Sequence, residues 1–202
     1  MKSTKFILKS AALIALCVPA AFAQQSGSGS TSTPATNPPT IQQRKENQQD
    51  RVANGIQSGQ LTAGETKNLE TKEAGINKEE SNMRASDNGH LTTADRTKLN
   101  NQQNNMSKQI YQDKHNANTA HYGNNEVGQR RENQQDRIAN GVRNGSLKPG
   151  QTAKLEGKEQ GINHEVAGMR QANGGKLTTA DKKTVNHQQN KVSKQIYNKK
   201  HS

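Results

Sequence analysis

The chain contains one sequence written twice. Shifted by 86 residues it aligns with itself without a gap, and 42 of the 73 pairs between Gln43 and His115 are identical. RKENQQDRVANG at Arg44 returns as RRENQQDRIANG at Arg130. HLTTAD at His90 returns as KLTTAD at Lys176, and SKQIY at Ser107 returns unchanged at Ser193. Self-similarity at a fixed period means one supersecondary unit built twice. The units are 41–115 and 127–202, and 116–126 is the joint between them.

Each unit reads as three helices, at 41–54, 63–85 and 93–114 in the first copy and 86 residues later in the second. Apolar residues recur in steps of four and three, the period of helices packed side by side. The third helix offers Leu99, Gln103, Met106 and Ile110, answered by Val185, Gln189, Val192 and Ile196. The second offers Leu69, Glu73, Ile76, Glu80 and Met83, answered by Leu155, Glu159, Ile162, Val166 and Met169. The first offers Ile41, Lys45, Gln48 and Val52, answered by Val127, Arg131, Gln134 and Ile138. The expected fold is all-α: two tandem three-helix units with capped turns. Gly75 and Gly161 interrupt the second helices, and mark either a break or a close helix–helix approach.

Composition makes that seam thin. From Gln24 onward there are 179 residues, of which 39 are Ala, Val, Ile, Leu, Met, Phe, Trp, Tyr or Cys, and none is Phe, Trp or Cys. That is about 22%, against roughly 45–50% on a slightly broader count for globular domains. A transmembrane bundle, a disulfide scaffold and a thick mixed α/β core are excluded. Each unit is expected to be marginal alone, so the two pack together or the chain forms a homodimer.

The N-terminus carries an address. Lys2, Lys5 and Lys9 precede an apolar stretch that ends in Ala21-Phe22-Ala23. This is the build of a secretory signal peptide over 1–23, and implies a periplasmic or secreted protein. Cys17 lies inside it, so the mature chain has no cysteine. Residues 24–40, rich in Ser, Thr, Gly and Pro, read as a flexible tether, and the joint is also expected to be disordered.

Four similar turns punctuate the units. Gly59, Gly89, Gly145 and Gly175 are each followed two residues later by Leu. In three turns a Thr comes next, with an acid three residues on: Thr62 with Glu65, Thr92 with Asp95, Thr178 with Asp181. This G-x-L-T-x-x-[DE] string resembles the back half of an EF-hand loop. The front half lacks the ligands: for the turn at Gly89, positions one, three and five fall on Arg84, Ser86 and Asn88. Helix punctuation explains the letters more fully, with a degenerate EF-hand-like, calcium-responsive module as the alternative. Gly ends one helix, Leu staples the entry to the next, and Thr with its acid forms a capping box. Where Lys148 replaces the cap, Pro149 takes the first helical position.

Charge is uneven between the copies. Unit one has 11 Lys and Arg against 10 Asp and Glu; unit two has 15 against 6. Arg130, Arg131, Arg137 and Arg143 lie on the first helix of unit two, and Lys182, Lys183, Lys191, Lys194, Lys199 and Lys200 on its third. These are the candidate polyanion-binding residues. Outside the cytoplasm the partners of such a surface are anionic lipid, glycan or extracellular DNA. Sequence-specific nucleic-acid binding is not expected, because three tyrosines give no stacking platform.

No motif for nucleophilic, P-loop or zinc chemistry is present. Carboxylates lie on every helix, but nothing in the sequence looks able to desolvate them. His115 and His201 read as helix C-terminal residues favoured by the macrodipole, and Tyr111 and Tyr197 as closing the apolar stripe. No catalysis, cofactor or metal is expected. The strings QQxRIxxG, SGxLTxxE and SxxIYxxKH resemble those of exported bacterial tandem-repeat helical proteins, a likeness that implies no chemistry. The exported, helical, basic build is also similar to the Spy and CpxP periplasmic chaperones. Their L-T-x-x-Q is altered here to Leu147–Gln151, and the likeness implies an amphipathic cradle for unfolded clients.

Overall fold

The protein is described here by a computed structural model covering residues 39–202; the expected signal peptide over 1–23 and nearly all of the expected tether lie outside the described residues. Six α-helices and no strand occur among them: α1 (Ile41–Gln57), α2 (Ala63–Ser86), α3 (Thr93–Lys114), α4 (Glu126–Arg143), α5 (Pro149–Ala172) and α6 (Thr179–Lys200). Helix α1 runs three residues past the expected end at 54. The extra turn carries Ile56 into the core, where it is fully buried.

The turns are built as punctuation. Thr62, Thr92 and Thr178 each cap the N-terminus of the following helix, and Glu65, Asp95 and Asp181 close the box by accepting the cap's own backbone N–H. At α5, Gln151 accepts the Lys148 N–H at 2.9 Å, beside Pro149. Leu61 and Leu147 are fully buried. Each seats on a glycine of the preceding helix: a Cβ on Gly55 would lie 2.6 Å from Leu61, and one on Gly141 2.6 Å from Leu147. Gly55 and Gly141, in the last turn of the first helix of each repeat, are thus the sockets for the staple leucines.

Apolar side chains alone do not hold the helices of a repeat together. Gln48 Nε2 donates to the Gln103 carbonyl at 2.7 Å, and Gln103 Nε2 to the Ile41 carbonyl at 2.9 Å. Gln134, Gln189 and Val127 repeat this at 2.8 and 2.9 Å. Arg51 clamps the carbonyl of Ser107 at 3.0 Å, and Arg137 that of Ser193 at 3.1 Å. These bonds satisfy the Nε2 groups of amides that occupy core slots and tie the helices together where apolar residues are few, while the Oε1 atoms of the four glutamines find no partner among the described residues.

The two repeats form one compact body, with α2 against α5 and α1 against α4. Gly64 lies against Gln160, Lys67 against Gly157, and Gly150 against Ala74. Numbers rise along one helix as they fall along the other, so α2 and α5 are antiparallel. The pairs converge on Leu69 and Leu155, fully buried and each other's counterparts. An approximate two-fold axis passes between these leucines, as in an isologous dimer.

Three expectations are corrected. The joint is docked: the Ala120 N–H donates to the Gly59 carbonyl at 2.8 Å, and Asn116 and Asn118 both donate to Glu65. Gly128, at the start of α4, makes room for it; a Cβ there would meet the Tyr122 carbonyl oxygen at 1.9 Å. Tyr111 and Tyr197 do not close the stripe. They are 60% and 58% exposed, over the rings of His115 and His201. Gly75 and Gly161 neither break α2 and α5 nor mark a close approach, since nothing lies within 4 Å of a Cβ at either.

Candidate functional site

Helices α5 and α6 pack side by side and leave a groove along their outer face. It comprises two hollows of about 460 and 390 Å3. Leu155, Ile162 and Val192 line its apolar part, and Lys154, Lys158, Lys191 and Lys199 its rim. Lys154 and Lys158 stand one helical turn apart on α5. Lys158 donates to Gln195 of α6, which steadies it across the groove. Glu165 also lines the groove and accepts from Gln188 at 2.6 Å.

The first repeat is the internal reference for this surface. The counterparts of the four lysines are Asn68, Lys72, Asn105 and Asp113. The matching hollow between α2 and α3 is lined by Lys72 and Asn105, with Glu79 in place of Glu165. The same backbone groove therefore carries four cations in one copy, and one cation with an added acid in the other.

The ten basic residues singled out from sequence do not form one face. Lys191 and Lys199 belong to the groove. Arg137 is an internal clamp, and Lys200 donates to the Arg137 carbonyl at 3.4 Å. Arg143 reaches across to Asn54 at 2.9 Å and Gln57 at 2.8 Å, joining α4 to α1. Arg130 donates to Asn190 and pairs with Glu126. Lys182 lines a separate hollow with Lys176 and Arg170. Lys183 and Lys194 stand exposed on α6. Arg131 is half-buried, with its guanidinium 5.4 Å from the centroid of the Tyr122 ring. Lys154 and Lys158 were missed. The change from Asn68 to Lys154 between copies was the available signal.

Carboxylates are desolvated after all, Glu73 and Glu159 beside cations of their own repeat and Glu70 and Glu156 where the two repeats meet. Glu70, Glu73, Glu156 and Glu159 are buried on α2 and α5. Burial pushes Glu70 up to about 8 and Glu159 up to about 7, Glu159 being partly offset by Arg131. Glu156 is raised well above its ordinary value by burial, despite the bond it accepts from Gln135 at 3.0 Å. Glu73 is raised by burial too, with Lys45 opposing. Both oxygens of Glu73 lack a hydrogen-bond partner among the described residues, and the Gln49 amide beside Glu70 only partly offsets its burial. A carboxyl in such a place holds its proton rather than its charge.

The turn acids stand at helix caps. Oxygens of Glu65, Asp95 and Asp181 accept the cap N–H groups at 2.9–3.0 Å, so the residue at each EF-hand-like position twelve is already bonded within the turn. His115 and His201 end their helices with Nδ1 2.7 Å from the carbonyls of Tyr111 and Tyr197. Among the described residues no group of three or more His, Cys, Asp or Glu could hold a metal ion, and no helix is long and apolar enough to cross a membrane. No protein-family model, curated protein or solved structure matches this chain.

Proposed function

We propose that the protein is an exported, non-catalytic helical module that holds a linear anionic polymer of the envelope or matrix along the α5–α6 groove. One observation carries this reading: duplication kept the groove, while Lys154, Lys191 and Lys199 stand where the first repeat has Asn68, Asn105 and Asp113. These three positions carry four of the eight charges by which the second repeat exceeds the first, and a charge difference concentrated in this way gives a directional surface. A groove with an apolar floor between two rows of cations suits a strand, such as an acidic glycan or extracellular DNA, better than a flat lipid surface.

Binding of this kind weakens steeply with salt, because each neutralised charge releases a counterion. The test swaps the first repeat's residues into the second: Lys154→Asn, Lys191→Asn and Lys199→Asp together. Binding to a sulfated glycan and to duplex DNA is measured across a salt series. The expected result is weaker binding and a log–log salt slope shallower by about 3 for DNA, near one unit per lost contact. Unchanged affinity and slope in the triple variant would remove the groove from consideration. Stronger binding to anionic vesicles than to either polymer would point to a lipid surface instead.

A further inference from the structure

We propose that the second repeat contains a pocket for a small organic carboxylate, held between Arg131 and Arg170 as Glu80 is held between Lys45 and Arg84 in the first repeat. The two positions are counterparts, and the first shows a complete ion network. Glu80 is buried and bridges two cations: Lys45 Nζ at 2.9 Å on one oxygen, Arg84 Nη2 at 2.8 Å and Nε at 3.0 Å on the other. Burial opposes charge on Glu80, but these bonds prevail and keep its carboxyl below the ordinary range.

In the second repeat the cations remain and the bridge is gone. Lys45 becomes Arg131, Arg84 stays as Arg170, and Glu80 becomes Val166. Val166 is buried and carries no acceptor. Arg131 and Arg170 line one open cavity of about 310 Å3, which Val166, Glu159, Tyr122 and Asn163 also line. Among the described residues neither arginine makes an ion pair or a side-chain hydrogen bond; burial disfavours charge on Arg131, while Glu159 and Tyr122 favour it and Arg170 stands close enough to oppose it. Half-buried guanidinium donors without a hydrogen-bond acceptor are costly, and guanidinium forks are the side chains best matched to a carboxylate.

Charge and size select the ligand class. Two arginines face one acid, Glu159, so above about pH 7, where that carboxyl is ionised, a monoanion balances the site and a dianion overshoots beside it. The cavity has the volume of about ten waters, enough for a small acid with a short aliphatic body against Val166. A free metabolite acid and the C-terminal carboxylate of a peptide share this chemistry. The pocket uses none of the residues that line the lysine groove, so its failure and that of the polymer reading are distinguishable.

The test is titration of the full mature chain, followed by NMR of the Val166 methyls and the Arg131 and Arg170 side-chain signals. The probes are propionate, N-acetylglycine, a short peptide with a free or an amidated C-terminus, and inorganic phosphate. Saturable shifts are expected with the carboxylates, at least tenfold weaker for phosphate. Free-acid peptide binding that the amide loses indicates a peptide terminus; binding by the small acids alone indicates a metabolite. Val166→Glu rebuilds the internal bridge and should weaken binding at least tenfold while raising the melting temperature. Arg170→Gln should weaken it similarly without that gain. No saturable shift in the wild type, undiminished binding in both variants, or phosphate binding tighter than propionate would each overturn the assignment.

Discussion

A glutamate at a helical core slot has two fates in this molecule, decided by what stands opposite. Glu80 meets Lys45 and Arg84 and stays charged. Glu70 and Glu156 meet the other repeat and are pushed toward the neutral form by burial. A raised folded-state pKa makes the native state bind more protons than the unfolded chain. Stability from such groups is complete below the unfolded value of 4.5 and is lost as pH rises to about 8. The melting temperature should therefore climb as pH falls from 8 toward 5, then drop in stronger acid as Glu80 is protonated. Glu70→Gln with Glu156→Gln should flatten the climb and raise stability at pH 8, which melts across the pH range will check. Sequence alone shows Glu73 and Glu80 at seam positions. It could not show Glu70 or Thr66, because their burial depends on a second copy rather than on their own helix.

At the scale of the helix, most of the design was legible, because caps and heptads are local. Thr–Glu and Thr–Asp boxes, the staple leucines, Pro149 and the buried slots all follow from spacing within a few residues. The joint was not legible. Its low apolar content reads as disorder, yet a few backbone and amide bonds to Glu65 and Gly59 fix it, with Gly128 clearing its path. Gly75 and Gly161 look like devices in sequence, but stand exposed in unbroken helices with empty space where a Cβ would go. Alanine at each should stabilise the fold by roughly 1 kcal/mol, the helix-propensity difference alone. A denaturant midpoint that rises additively in the double variant is the expected result; a fall would reveal a need for these glycines that packing does not show.

On the scale of the whole molecule, the duplication explains how a chain so poor in apolar residues folds. Glu70 and Glu156 face each other across the centre of the α2–α5 contact, and Thr66, Leu69, Thr152 and Leu155 are buried beside them. Every one is identical to its counterpart, so the centre of the interface is self-complementary, while Lys67, Thr71 and Ala74 toward its ends are Ala153, Gly157 and Gln160 in the other copy. Residues 39–118 alone should therefore pair with themselves about the same axis. Their melting temperature should depend on concentration, as for a dimer, and lie below that of the full chain. A well-folded monomer at every concentration would show that one repeat needs no partner.

The two-fold axis has a further consequence. In a dimer of separate chains, any change to the surface happens twice, and neither half can specialise. Tethering the halves lifts that restraint. One copy can keep Glu80 as a rigid internal lock while the other carries Val166 and leaves its arginines available. The α2–α3 groove can stay neutral or acidic while the α5–α6 groove becomes cationic. Covalent fusion thus gives the chain one half that serves as keel and another that serves as hand, drawn from a single blueprint.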